Sequence, residues 1–211
     1  MTRTATTVDD VVVPGSAASA AALGVASAYL SPALLNHSLR AYLWAAARGA
    51  AEGVAFDAEL LYVAALFHDL GLAPAFDSHT VAFEEAGGHV ARVFAAGAGW
   101  SAERAERLSD LIVRHMWPEV DASADPEARL LNLATATEIV GRGAADLPAG
   151  FRAEVLARHP RLDLAERFLA CFQDQAVRKP GSSAAGAVRS GLAARMAGNP
   201  LDAPAPPPLQ G

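Results

Sequence analysis

The sequence predicts an all-α bundle of roughly eight helices, and three observations carry that prediction. Alanine, the strongest helix former, is very abundant, so many segments favour a helix before any packing is counted. Strand signals are rare: aromatic residues make up only 7% of the chain, and the apolar run at 11–13 is too short to argue a sheet. Helix starts recur along the chain as Ser or Asp caps, two of them followed by proline, and glycines mark the ends.

The elements follow in order. The chain should be extended as far as Pro14-Gly15, after which Ser16 caps a first helix whose apolar, Ala-rich body reads as packed and is too short to span a bilayer. Ser31-Pro32 places a cap before a proline at the first helical position, and the second helix should run to about Arg48, ending near Gly49. Asp57 caps a third helix, reaching about Asp69. Leu60, Leu61, Ala64, Ala65 and Phe67 make it apolar on most sides, so it should be central. Gly71 then offers a left-handed turn to close it. A loop with Pro74 and Asp77-Ser78 leads to a fourth helix over 81–96, broken by Gly97 and Gly99. Ser101 caps a fifth, reaching His115, and Asp125-Pro126 opens a sixth that ends at Gly141 or Gly143. Two or three more helices should fill 148–196. Residues 1–198 therefore read as one domain, and the Pro-rich tail 199–211 as disordered.

Charge and cysteine content narrow the function classes. A net charge of −6 offers no broad positive field to a phosphate backbone, so nucleic acid is not expected as a partner. The single cysteine, Cys171, allows no disulfide within one chain and fits a reducing, cytoplasmic setting. It lies in the apolar run Phe168-Leu169-Ala170-Cys171-Phe172 and reads as a buried small hydrophobe. No secretory leader is evident, and no membrane association is expected. Whether the chain forms a homo-oligomer stays open.

The residues that carry chemistry are few. His37 falls in the middle of the second helix, and His68 and Asp69 fall together at the end of the third. Neighbours on a helix point about 100° apart, so both can face one ion only if it sits off the helix end. Imidazole and carboxylate together suit one divalent transition metal, zinc first, with iron or manganese as alternatives. An acid, Glu138, lies on a later helix.

The order of histidine, His-Asp pair and late acid resembles the HD superfamily, and Phe67-His68-Asp69-Leu70-Gly71 is similar to the core of its signature. A narrower resemblance, to the cyanamide hydratase-like branch, rests on Leu34-Leu35-Asn36-His37-Ser38-Leu39-Arg40-Ala41-Tyr42, on Pro14, on Phe83-Glu84 and on Arg178-Lys179-Pro180. It covers roughly residues 12–183. The resemblance implies a helical, HD-type metal-binding domain, with hydration of a small polar electrophile such as cyanamide or another nitrile as the favoured reaction. Two departures stand out. Phe83 occupies the place where many HD phosphohydrolases carry a further histidine for a second metal, which favours a mononuclear site. Glu138 stands where the family usually has its last metal ligand, an aspartate, so the resemblance implies a ligand set of His37, His68, Asp69 and Glu138.

The remaining roles are expectations of the same reading. Asp69 orients the attacking water as well as ligating; His115 is the candidate proton donor, or a cation satisfying the end of the fifth helix. Glu84 supports a ligand geometry or pairs with Arg40. Arg40, Phe83 and Trp117 are the expected substrate contacts, with Trp44, Phe76 and Met116 as further apolar walls. His79, His89 and Lys179 read as surface residues. The rival functions are an HD phosphohydrolase acting on a nucleotide or phosphate ester, drawing on Arg40, Arg92, Arg114 and Lys179, and a non-catalytic HD-fold sensor or interaction module.

Overall fold

A computed structural model describes residues 7–121 and 125–202, and every regular element in it is helical. Ser16, Ser31, Asp57, Ser101 and Asp125 all cap helices through their side chains, as their positions predict. They open α1 (Ala17–Tyr29), α2 (Pro32–Glu52), α3 (Ala58–Phe67), α5 (Ala102–Arg114) and α6 (Pro126–Val140), with α4 (Phe83–Gly97) between α3 and α5. Four helices follow instead of two or three: α7 (Ala149–Arg158), α8 (Leu164–Arg178), α9 (Ser183–Arg189) and α10 (Leu192–Ala197). Ten α-helices in all lie among the described residues, and none is long and apolar enough to cross a membrane.

The core forms around α3, where all eight residues from Leu60 to Phe67 are buried. It packs between α1, α2 and α5, while α2 lies along α6 and α4 lies along α5. With so few aromatics, close approach of small side chains supplies the packing: Ala22, Ala26, Ala41, Ala45, Ala64, Ala65, Ala91 and Ala128 are all buried.

Several local expectations are corrected. The second helix does not stop at Gly49. It runs through Glu52, and Gly53 takes the left-handed cap at φ 69°. Gly49 is instead a contact residue, because a Cβ there would lie 2.7 Å from the Phe56 ring. Gly71 does not adopt a left-handed conformation either; it sits in a 3-10 turn, Leu70–Leu72, where a Cβ would fall 2.0 Å from the Phe83 carbonyl oxygen. Its role is to let the start of α4 press against the backbone that follows His68-Asp69. The N-terminal segment is extended only after a 3-10 turn, Val8–Asp10.

Two further corrections concern the periphery. Lys179 is buried, and its ammonium donates to the Ser78 (2.8 Å) and Val81 (2.9 Å) carbonyls, tying the end of α8 to the loop before α4. Arg178 reinforces that tie through Asp77, at 2.5 Å. The tail is ordered as far as residue 202: Pro200–Asp202 forms a 3-10 turn, Leu201 is buried, and Asp202 pairs with Arg161. The expected disorder of residues 203–211 lies outside the described residues. Cys171 is half-buried and packs against the core, and His79 and His89 are exposed.

Candidate metal centre

His37 projects from the middle of α2, His68 is the residue that ends α3, and Asp69 begins the next 3-10 turn. All three are buried, and three of their ligand atoms converge. His37 Nε2 lies 3.0 Å from His68 Nε2, and both nitrogens lie 3.3 Å from Asp69 Oδ2. Metal–ligand bonds of about 2.1 Å place neighbouring ligand atoms about 3.0 Å apart at right angles and about 3.4 Å apart at tetrahedral angles. The triangle fits a divalent ion.

The hydrogen bonds behind each ring orient its lone pair. His68 Nδ1 donates to the Ala65 carbonyl at 2.7 Å, which in the neutral ring leaves Nε2 bare. His37 Nδ1 donates to Glu138 Oε2 at 3.1 Å, which frees its Nε2 in the same way. Two nitrogen lone pairs and a carboxylate oxygen therefore face one another in a buried space, an arrangement that demands a cation. Asp69 makes the demand explicit: both its oxygens are buried without a hydrogen-bond donor. The electrostatics agree. Burial works against a charged His37 ring, yet the Asp69 and Glu138 carboxylates on either side outweigh it and raise its pKa. Burial also works against an ionised Asp69, but His68 and His37 overcome it and hold the carboxyl well below the usual range.

Glu138 does not ligate in this geometry. Its carboxylate lies on the Nδ1 side of His37, away from the triangle, and both oxygens are engaged. Arg40 donates from Nη2 to Oε2 at 2.6 Å and from Nε to Oε1 at 3.0 Å, and Trp44 Nε1 donates to Oε1 at 2.5 Å. Arg161 and Asn199 donate to its backbone carbonyl, at 2.9 and 2.8 Å. The residue expected as a fourth ligand is thus the support behind the first one, and its extra methylene relative to aspartate gives the carboxylate the reach for that position. Arg40 is correspondingly not a substrate contact: it is fully buried, its remaining donors go to the His159 and Pro160 carbonyls, and it pairs with Glu138 rather than Glu84.

His115 is brought to the site. It ends α5, its ring centroid is 4.9 Å from that of His68, and Nδ1 donates to the Ile112 carbonyl. Burial and the nearby His68 push its pKa down to about 3. A neutral ring with a bare Nε2 accepts hydrogen bonds, so the expected proton donor is an acceptor in this arrangement. Glu84 is buried on α4 with Oε2 unpartnered. Burial raises its pKa, and the neighbouring Ser183 hydroxyl and Lys179 charge offset this only in part. It does not line the cavity at the triad, and neither does Phe83, which packs behind it at 5.7 Å from His115 and 5.2 Å from Phe172.

The triad opens into a cavity of about 770 Å³. Of the expected walls, Met116 and Trp117 line it, the latter 49% exposed, whereas Trp44 and Phe76 do not. Sequence reasoning missed the rest. Asn132, Thr135, Ala136, Ile139 and Val140 present one face of α6 at helical spacing; Phe168 and Phe172 come from α8; Arg142 and Arg195 line the exposed end. The Phe168/Phe172 pair was visible as an i, i+4 aromatic step, but nothing local distinguished a cavity wall from core.

Comparison with known families agrees with this geometry. The HD domain family matches residues 34–138, a span that opens three residues before His37 and closes on Glu138. No curated protein matches the chain. HD domains bind divalent metals and are commonly metal-dependent hydrolases, and the His37, His68 and Asp69 cluster can hold such an ion. The stretch from residue 34 to residue 138, which contains His37, His68, Asp69 and Glu138, is therefore similar to the HD domain family.

Proposed function

We propose that the protein is a one-ion, metal-dependent hydrolase that adds water to an uncharged electrophilic centre. The observation that carries this reading is the buried triangle of His37 Nε2, His68 Nε2 and Asp69 Oδ2 at the floor of a cavity large enough for an organic substrate. A divalent ion held there, zinc before iron or manganese, supplies Lewis acidity and a water made acidic near neutral pH. Asp69 Oδ1, which has no hydrogen-bond partner, takes the water's proton as it attacks and returns it to the departing oxygen or nitrogen, and His115 Nε2 orients the water as a second acceptor. Glu138 keeps His37 in the tautomer that exposes Nε2, and Arg40, Trp44 and Arg161 hold Glu138 in place.

Phosphoester cleavage ranks lower. Phe83 offers no ligand for a second ion. Of the cations the sequence suggested for a phosphoryl group, Arg40 and Lys179 are buried in structural bonds, and Arg92 and Arg114 pair with Glu106 and Asp125. Hydration of a nitrile such as cyanamide is the second reading. The same triad and water serve it, and an uncharged substrate suits a floor without free cations. Cyanamide itself would fill only a small part of the cavity.

The test compares metal-stripped and metal-restored protein on a 4-nitrophenyl carboxylic ester, an anilide, cyanamide and bis(4-nitrophenyl) phosphate. Metal-dependent turnover of the carbonyl substrates is expected to exceed that of the phosphodiester, and Asp69→Asn should lower it by about 100-fold or more. Urea formation with no ester or anilide turnover would select the hydratase reading. Metal-dependent release from the phosphodiester alone would overturn both.

A further inference from the structure

We propose that the substrate is an amphipathic organic anion: a long apolar body that fills the cavity and one anionic group held at the entrance by Arg142 and Arg195. This rests on the hydrolase reading, which places the bond to be cleaved at the triad. The cavity of about 770 Å³ falls in the range of about 300–1,000 Å³ typical of sites for drug-sized ligands. Its walls are mainly apolar: Ile139 and Val140 from α6, Phe168 and Phe172 from α8, and Leu192 from α10. A small polar molecule at the triad would leave most of that surface in contact with water, whereas an extended hydrocarbon or aromatic body would cover it.

The charge of the lining is one-sided. Among the described residues that line the cavity, Asp69 is the only acidic one, and it belongs to the triad. Arg142 and Arg195 are both exposed, and neither forms an ion pair among the described residues. Arg142 Nη2 reaches only the Asn132 amide oxygen, at 3.5 Å, and Arg195 Nη2 donates to the Ser190 hydroxyl at 3.1 Å. The arginines nearest the metal centre, Arg40 and Arg161, are instead saturated by carboxylates and carbonyls. Two arginines with unused donors at the open end of an apolar cavity suit a carboxylate or a phosphate, which a guanidinium binds in a forked geometry.

The experiment uses non-reacting probes with a common eight-carbon chain: octanoate, octyl phosphate, 1-octanol and octylamine. Binding to metal-loaded protein is measured by calorimetry and by the fluorescence of the half-exposed Trp117, with metal content measured in every sample. At least one anion is expected to bind tenfold or more tightly than the alcohol, and the amine most weakly. Comparing octanoate with octyl phosphate separates a carboxylate from a phosphate. Affinity should rise from butanoate to octanoate. In the Arg142→Ala/Arg195→Ala double variant, the preference for the anion over the alcohol should vanish, with alcohol affinity and metal content retained. Equal binding of anion, alcohol and amine would overturn the proposal. So would an anion preference that survives in the double variant, because the anion would then be held by the metal. Either result leaves the hydrolase reading intact, while loss of ester turnover with normal probe binding would count against that reading alone.

Discussion

Glu138→Gln is expected to weaken metal binding by about 10–100-fold, the usual consequence of losing the group that orients a ligand histidine, and to destabilise the fold by about 3–5 kcal/mol. The carboxylate is fully buried and accepts from Arg40, Trp44 and His37 at once. Removing its charge leaves the Arg40 guanidinium, itself fully buried, without a carboxylate partner. At about 2–4 °C per kcal/mol for a chain of this length, the melting temperature should fall by roughly 6–20 °C. The pH dependence follows from the same bonds. Burial opposes ionisation of Glu138, but Arg40 and His37 dominate and hold its pKa below the ordinary value of about 4.3. A carboxyl with a depressed folded pKa contributes stability that is present above the unfolded value and lost as pH falls through the folded one. Wild type and Glu138→Gln should therefore differ most in melting temperature near neutral pH and converge in acid. Glu138→Asp should fall between them, since a carboxylate one methylene shorter cannot keep all three donors. A Glu138→Gln protein with unchanged melting temperature and unchanged metal affinity would remove Glu138 from the account.

Gly71→Ala is expected to destabilise the protein by about 3 kcal/mol, near the upper end for overpacking, with a melting temperature lower by about 6–12 °C. The added methyl would lie 2.0 Å from the Phe83 carbonyl oxygen, 2.8 Å from the Phe83 carbonyl carbon and 3.0 Å from the Gly87 nitrogen. Those are backbone atoms at the start of α4, so no flexible side chain can swing aside. Gly87 meets the same contact from the other side, with Phe67 and His68 carbonyls near its own Cβ position. Relief must move α4 or the His68-Asp69 backbone, so metal affinity should fall along with stability. Thermal melts of the metal-stripped and metal-loaded variant read both effects. A Gly71→Ala protein as stable as wild type would show that the turn relaxes freely.

The sequence made the helices legible where local chemistry decides them. Ser16, Ser31, Asp57, Ser101 and Asp125 cap as expected because an N-cap is a contact within one turn. It also brought His37, His68 and Asp69 to notice. Other errors came from properties set by distant neighbours. Gly49 and Gly71 looked like helix terminators, yet each is small because Phe56 or Phe83 lies against it. Lys179 looked exposed, yet carbonyls about 100 residues away capture it. Glu138 was recognisable as the late acid, but which side of His37 it would occupy depends on Arg40, Trp44 and Arg161, and no spacing rule encodes that. Arg142 and Arg195 carry no local signal at all, since the turn after α6 and α10 come to one cavity only in the folded chain.

Metal stoichiometry of the purified protein tests the central claim most directly. One divalent ion per chain is expected in the wild type, with His68→Ala and Asp69→Ala reduced to a small fraction of that while circular dichroism shows their helices intact. Full metal occupancy in both folded variants, equal to the wild type, would contradict the account.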